Sequence, residues 1–160
     1  MSKNTPDYGL LAAQIQSLMD GEPHWITALS NASALLMETL DGVNWIGFYL
    51  RGSFVDSRLS EDELILGPFQ GKVACSRIPF GSGVCGTAAQ HDETQRVDDV
   101  HAFPGHIACD AASRSELVVP LHAHGRVVGV LDADSPRLAR FAAEDKTGLE
   151  RVARVIEHVF

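Results

Sequence analysis

The architecture of this chain is most readily inferred from the segment Glu116–Asp132, ELVVPLHAHGRVVGVLD. Its two halves, Glu116–His122 and Arg126–Asp132, are rich in strand-forming residues and flank His124-Gly125, a pair suited to a tight turn. The pattern therefore predicts a β-hairpin. Hairpins join antiparallel strands, whereas a parallel sheet needs a crossover connection after each strand. We expect a mostly antiparallel central sheet.

Helical patterns precede and follow the strand-rich middle of the chain. Apolar residues at helical spacing run from Leu10 to Met19, with an end near Gly21. A second helix is predicted from Pro23 to Leu40, ended by Gly42, and a third covers Glu144–Phe160. These patterns predict one α+β domain over residues 1–160, with N-terminal helices in 1–42, the sheet and active-site loops in 43–135, and the C-terminal helix in 144–160.

Shorter elements are predicted between these helices and the hairpin. The strand candidates are Val43–Leu50, Glu63–Phe69, Gly71–Ile78 and Gln95–Val97. The polar stretch Arg51–Asp62 predicts a long exposed hairpin loop. Gly81-Ser82-Gly83 predicts a turn that leads into a short helix, and 98–114 predicts a long loop with one helical turn. Loops of that length are usually functional or mobile.

Composition narrows the class of protein. The chain has 160 residues, 45% of them apolar, and a net charge of −8. Nucleic acid is excluded as a partner, because phosphate contacts need a basic patch. No apolar run reaches the roughly 18–20 residues that span a bilayer, and no leader pattern is present. Three cysteines do not make a secreted disulfide scaffold, so we expect a cytoplasmic protein, where a disulfide is more often catalytic than structural.

The three cysteines are the first candidates for chemistry. Cys109 lies in the predicted loop beside Asp110 and near His101 and His106, an environment that can stabilise a thiolate nucleophile. A buried inert thiol is the alternative. Cys75, on a predicted strand, and Cys85, at the predicted turn, are ten residues apart and match neither a CxxC pair nor a zinc-knuckle pattern. A Cys/His metal site is a second alternative, which this spacing disfavours.

Carboxylates at the open end of the hairpin are the next candidates. Asp132 and Asp134 are two residues apart on a strand, so their side chains share a face. Glu116 begins the partner strand and should lie beside them. Converging carboxylates can hold a proton at neutral pH, donate it as a general acid, or bind an ammonium group. The alternative is a solvated strand end.

Two aromatic residues share a face of the first predicted strand. Trp45 and Tyr49 are four residues apart, with Gly47 between them. The gap at the glycine and the two rings could form the floor of a pocket. Ordinary packing between sheet and helix is the alternative.

Taken together, five segments of the chain resemble the free methionine-(R)-sulfoxide reductases, which are single-domain GAF proteins. The segments are 44–49 (NWIGFY), 66–72 (LGPFQGK), 83–88 (GVCGTA), 106–113 (HIACDAAS) and 129–135 (GVLDADS). The resemblance covers nearly the whole chain, and ordinary GAF sensors lack this set of three cysteines. The segment 51–62 departs from the family in being longer than its usual hairpin loop.

The resemblance implies a role for each candidate residue. Cys109 corresponds to the attacking cysteine, Cys75 to the resolving cysteine that forms a disulfide with it, and Cys85 to a third cysteine that can serve as an alternative partner. Substrate-binding roles fall on the two aromatic residues and the three acids: Trp45, Tyr49, Glu116, Asp132 and Asp134.

The implied reaction is a thiol-dependent reduction of free methionine (R)-sulfoxide, recycled by a thioredoxin-type reductant. Neither a metal nor an organic cofactor is expected. The oligomeric state stays open between a monomer and a homodimer. A GAF sensor that binds a small molecule without converting it is the competing function.

Overall fold

The computed structural model describes residues 5–106 and 111–160 of the chain. Its helices are α1 (Tyr8–Met19), α2 (Trp25–Thr39), α3 (Gly52–Val55), α4 (Gly83–His91) and α5 (Ala143–Ile156). Its strands are β1 (Trp45–Arg51), β2 (Glu63–Gln70), β3 (Arg77–Pro79), β4 (Gln95–Val97), β5 (Ser115–Ala123) and β6 (Arg126–Ser135). Single 3₁₀ turns cover Val100–Ala102 and Glu157–Val159.

The strands form one six-stranded sheet in the order β3-β2-β1-β6-β5-β4. Every neighbouring pair is antiparallel. The predicted α+β class with a mostly antiparallel central sheet is confirmed. Strands β1, β6 and β5 lie at the centre, so side chains near the ends of these three strands can meet on one face.

The predicted hairpin is β5 and β6, joined at His124 and Gly125. Both turn residues adopt positive φ, 52° and 76°. That pair of left-handed conformations is the one that a two-residue turn between right-twisted strands requires. The turn sets the register at its own end of the hairpin, and a one-residue shift between Leu121 and His122 then places Glu116 opposite Asp134.

Apolar side chains fill both faces of the sheet, because strand residues alternate between faces. One core cluster contains Ile46, Phe48 and Leu50 of β1 with buried residues of α1, α2 and α5. A smaller cluster on the other face contains Trp45 and Tyr49 with residues of α4. The helices therefore close one face fully, whereas α4 covers part of the other. Nowhere in residues 5–106 and 111–160 does a helix combine the length and the apolarity needed to cross a membrane.

The three long helices follow the sequence prediction. Asp7 caps α1 by accepting a hydrogen bond from the Leu10 backbone amide at 2.9 Å. The first and last helices are tied together in the interior, where the Tyr8 hydroxyl donates to Asp145 Oδ1 at 2.6 Å. Arg140 Nη1 donates to the other oxygen of the same carboxylate at 3.0 Å, so this buried charge is paired.

The predicted strand Gly71–Ile78 is wrong over most of its length. Strand β3 contains only Arg77–Pro79, paired with the first three residues of β2. Gly71 has a φ of 133°, which turns the chain away from β2. Residues 72–75 form a loop, so Cys75 lies in a loop and not on a strand.

The predicted loop 51–62 contains a short helix that sequence patterning missed. Helix α3 brings Phe54 against Trp25 and Phe160, with ring centroids 6.2 Å and 5.3 Å away. The segment thereby covers an edge of the larger core cluster. The prediction of a wholly exposed loop is therefore wrong.

Candidate active site

The candidate site begins as a row of side chains across the three central strands. Trp45 of β1 lies opposite Asp134 of β6, which lies opposite Glu116 of β5. One pleat further along β6, Asp132 pairs with Gly47 and Val118. Paired positions in an antiparallel sheet project to the same face. The predicted convergence of the three acids follows directly from this register.

These side chains line a cleft between the sheet, α4 and the loop after β2. Its empty volume is ≈ 520 Å³, including the part that opens to solvent. The five residues predicted to bind substrate all line it, together with Cys85: Trp45, Tyr49, Glu116, Asp132 and Asp134. The structure thus brings six of the eight predicted site residues into one cleft.

Two of the acids are almost fully buried. Glu116 is 7% exposed and Asp132 is 5% exposed. Burial raises the pKa of Glu116 well above its ordinary value, and the negative charges of Asp132 and Asp134 raise it further. Burial also raises the pKa of Asp132 to about 6, although hydrogen bonds to Cys85 and Glu116 oppose the rise. Burial and the neighbouring charges therefore favour the protonated form of Glu116.

Cys85 is held as a thiol by its surroundings. It lies in the first turn of α4, which corrects its predicted position at a turn, and its Sγ is 3.8 Å from Glu116 Oε1. Burial raises the pKa of the Cys85 thiol well above its ordinary value, and the charges of Asp132 and Glu116 add to the rise. Because the thiolate is the reactive form, Cys85 is poorly suited to attack a substrate at neutral pH.

The two aromatic residues form the wall of the cleft and also anchor a loop. Trp45 stacks on Tyr49, with ring centroids 5.9 Å apart. The Trp45 indole Nε1–H donates to the Lys72 carbonyl at 3.1 Å, and the Tyr49 hydroxyl donates to the Cys75 carbonyl at 2.9 Å. Both ends of residues 72–75 are therefore held by side chains of the cleft wall.

The predicted pocket floor at Gly47 is wrong. A Cβ at this position would lie 2.3 Å from Phe69 Cβ and 2.8 Å from the Pro68 carbonyl oxygen. The missing side chain lets β2 approach β1 at a register shift, and it opens no cavity. Phe69, which was not among the predicted site residues, stacks on Trp45 at 5.1 Å.

Cys75 is not among the residues that line the cleft. Cys75 is disulfide-bonded, whereas Cys85 is a free thiol. Cys109 lies outside the described residues. The loop that carries Cys75 also supplies Val73 and Ala74 to the cleft, so the disulfide-forming residue follows directly after two cleft-lining ones.

Sequence reasoning considered His106 as a neighbour of Cys109 and as a ligand in the disfavoured Cys/His metal site, but did not place it among the site residues. His106 lines the cleft, and its Nε2 is 3.9 Å from Glu116 Oε2. Burial lowers the pKa of His106, and the nearby His101 lowers it further, so the ring is neutral near pH 7. No periodic pattern could have identified this residue, because a loop and not a strand or helix brings it to the cleft.

Comparison with known proteins defines the class. The family profile of the GAF domain matches residues 22–159. The free methionine-R-sulfoxide reductase of Escherichia coli is 50% identical over 155 residues, which are 97% of this chain and 89% of that protein. The chain therefore has both the fold and the sequence of a GAF-domain protein.

Solved structures agree with this assignment. Reduced fRMsr of Staphylococcus aureus is 50% identical, with a TM-score of 0.89, covering 99% of this chain and 98% of that one. The free methionine-R-sulfoxide reductase of Neisseria meningitidis in complex with its substrate is 49% identical, with a TM-score of 0.87, covering 96% and 87%. Within the GAF class, the chain belongs to the free methionine-R-sulfoxide reductase family of oxidoreductases.

Proposed function

We propose that this protein reduces free L-methionine (R)-sulfoxide to L-methionine. The observation that carries the proposal is the cleft in which Glu116, Asp132 and Asp134 face the stacked rings of Trp45 and Tyr49. Carboxylates suit the ammonium group of a free amino acid, and aromatic rings suit its apolar thioether end. The family to which the chain belongs supports the same substrate.

The arrangement accounts for a preference for the free amino acid. Asp132 Oδ1 is buried and finds no hydrogen-bond donor among the described residues. An ammonium group beside Asp132 and Asp134 would supply that donor and neutralise the buried charge. A methionine sulfoxide within a peptide has no such cation, so binding it would leave buried acids uncompensated.

The chemical step assigns separate roles to a thiolate and an acid. The Cys109 thiolate attacks the sulfoxide sulfur, and the S–O bond breaks as the oxygen passes to the cysteine. Glu116 supplies the proton that makes the oxygen a competent leaving group, which its raised pKa supports. The products are methionine, reduced by two electrons, and a Cys109 sulfenic acid.

Recycling then requires a second thiol. Cys75 attacks the sulfenic acid, water leaves, and a Cys75–Cys109 disulfide forms. The disulfide-bonded state of Cys75 and the free thiol of Cys85 support this pairing. Cys85 is then a reserve partner, and its protonated state argues against a role as the first nucleophile. A thioredoxin-type dithiol in the cytoplasm reduces the disulfide by exchange.

Coupled turnover tests the proposal. Purified protein is mixed with separated R or S epimers of free methionine sulfoxide and a thioredoxin system, and NADPH oxidation is followed. The R epimer should be consumed, and the S epimer and an N-acetylated R epimer should not. Cys109→Ser should abolish methionine formation. Cys75→Ser should lose thioredoxin-driven turnover and regain it with dithiothreitol.

Two outcomes would overturn the proposal. Unchanged methionine formation in Cys109→Ser would exclude its role as the nucleophile. Binding of the R epimer without any methionine would instead favour the competing function, a GAF sensor. Light scattering of the same preparation distinguishes a monomer from a homodimer.

A further inference from the structure

Around Cys85, three side-chain atoms that can bind metal lie close to one another, a feature that the proposed reaction does not require. Cys85 Sγ and one carboxylate oxygen each from Glu116 and Asp132 all lie within 4.8 Å of one another. Ligands bound to a tetrahedral metal ion at about 2.0–2.3 Å stand roughly 3.3–3.8 Å apart. The Sγ to Oε1 distance of 3.8 Å between Cys85 and Glu116 already falls at the edge of that range.

The three donors come from three fixed elements. Cys85 is in the first turn of α4, Glu116 is on β5 and Asp132 is on β6. Strands β5 and β6 are hydrogen-bonded neighbours in the centre of the sheet. All three donors therefore lie on regular secondary structure and not on loops.

A second observation, a buried oxygen of Asp132 left unpaired by the part of the chain that the structure describes, also points to a cation at this place. Asp132 is 5% exposed, and its Oδ1 finds no donor within the described residues. Buried carboxylate oxygens without a partner are rare in folded proteins, because their desolvation is uncompensated. Asp132 lines the same cleft as Glu116 and Cys85, so a cation held between these three side chains would give the oxygen a partner.

The donor set selects the kind of cation. A thiolate together with carboxylates suits a borderline-soft ion such as Zn²⁺ or Co²⁺, whereas Mg²⁺ and Ca²⁺ prefer oxygen ligands only. Three protein donors leave the fourth position of a tetrahedral ion to water, and His106 Nε2, 3.9 Å from Glu116 Oε2, lies outside the group of three. Cys85 is the cysteine that stays free when Cys75 is disulfide-bonded, so the site persists in the oxidised protein.

We propose that Cys85, Glu116 and Asp132 form a binding site for a borderline-soft divalent cation, and that a bound ion excludes substrate from the cleft. Metal binding does not depend on the proposed function, whereas the exclusion does, because the same acids are proposed to receive the ammonium group. The protein would thus be inhibited by zinc competitively with the sulfoxide.

Cobalt titration of the oxidised protein tests the site. Protein is oxidised until one free thiol per chain is measured, and Co²⁺ is then added. A near-ultraviolet thiolate-to-cobalt charge-transfer band should appear and saturate at one ion per chain. In Cys85→Ser the band should be lost. In Asp132→Asn, which keeps the thiol, half-saturation should need more than about tenfold more Co²⁺.

The control is His122→Gln. His122 contacts two carboxylates elsewhere on the surface, at 2.6 Å and 2.7 Å, so it could bind cobalt without a thiolate. That variant should leave the band unchanged. Absence of the band in the wild-type chain, or an equal band in Cys85→Ser, would overturn the site.

Competition tests the exclusion separately. Free methionine (R)-sulfoxide should weaken the cobalt band more than the S epimer does at equal concentration, since both epimers chelate metal equally in solution. If neither epimer weakens the band beyond what its chelation of Co²⁺ in protein-free solution accounts for, the exclusion is refuted. The ammonium assignment, which both epimers share, is tested by the N-acetylated R epimer in the turnover assay. The loss of the band in Cys85→Ser would still establish the metal site.

Discussion

Asp132→Asn should make the protein more stable at neutral pH while impairing its activity. Asp132 is buried in an acidic cleft, and burial raises its pKa from 3.8 to about 6. The ionised form of Asp132 therefore lowers the free energy of unfolding. Asparagine is nearly isosteric, carries no charge, and keeps an oxygen that can accept the hydrogen bond from Glu116.

The sign and size of the effect follow from the pKa. A carboxyl group whose folded-state pKa is raised contributes stability below its unfolded pKa and loses it as the pH rises through the folded value. At about 1.4 kcal/mol per pKa unit, a rise from 3.8 to about 6 corresponds to roughly 3 kcal/mol above pH 7. The advantage of Asp132→Asn should therefore grow from about 1 kcal/mol near pH 4.5 to at most about 3 kcal/mol near pH 8.

Urea unfolding at several pH values between these limits measures the difference. Asp62→Asn, at an exposed acid before β2, is the matched control for the loss of one carboxylate. In the turnover assay, Asp132→Asn should lower kcat/KM by roughly 10- to 100-fold, because a hydrogen bond to a charged group is lost. A stability difference that is flat with pH, or one that shrinks as the pH rises, would refute the electrostatic argument.

Three further predictions concern the loop 72–75, the surface of the β5–β6 hairpin and the contact between β1 and β2. Tyr49→Phe removes the hydrogen bond to the Cys75 carbonyl, so it should cost about 1 kcal/mol and raise the fraction of Cys109 sulfenic acid that dimedone traps during turnover; an unchanged trapped fraction would contradict a positioning role. Burial opposes charge on His122, but hydrogen bonds to two carboxylates hold its pKa above the ordinary value, so His122→Gln should cost more stability near pH 6 than near pH 9. Equal costs in chemical denaturation would contradict this. Gly47→Ala places a Cβ 2.3 Å from Phe69 and should lower the free energy of unfolding by about 1–3 kcal/mol, which a neutral urea midpoint would contradict.

Local periodicity accounts for what could be predicted of the site. Side chains on a strand alternate between its two faces, so residues two apart share a face. This places Asp132 and Asp134 on one face without knowledge of the fold. The His124-Gly125 turn brings Glu116 to the same end of the hairpin. The fold class and the shared face of Asp132 and Asp134 were therefore predictable from one short segment, whereas the face of Glu116 depends on the register shift between Leu121 and His122, which periodicity does not encode.

The errors lie where side chains from distant segments decide the backbone. Residues 71–76 carry strand-forming residues, but their loop conformation is held by Trp45 and Tyr49, more than 20 positions away. The position of Cys85 beside Glu116 depends on how α4 packs on β5, which no periodicity encodes. Tertiary contacts override local propensity in both cases.

The stacking of Trp45 has an optical consequence. The chain contains two tryptophans, and they report on opposite faces of the sheet. Trp45 lies in the cleft between Tyr49 and Phe69, whereas Trp25 packs on the larger core cluster beside Phe54. Replacing Trp25 by phenylalanine would leave a single indole whose N–H holds the Lys72 carbonyl. Its emission would then follow ligand entry and movement of the neighbouring loop in real time, with no external label.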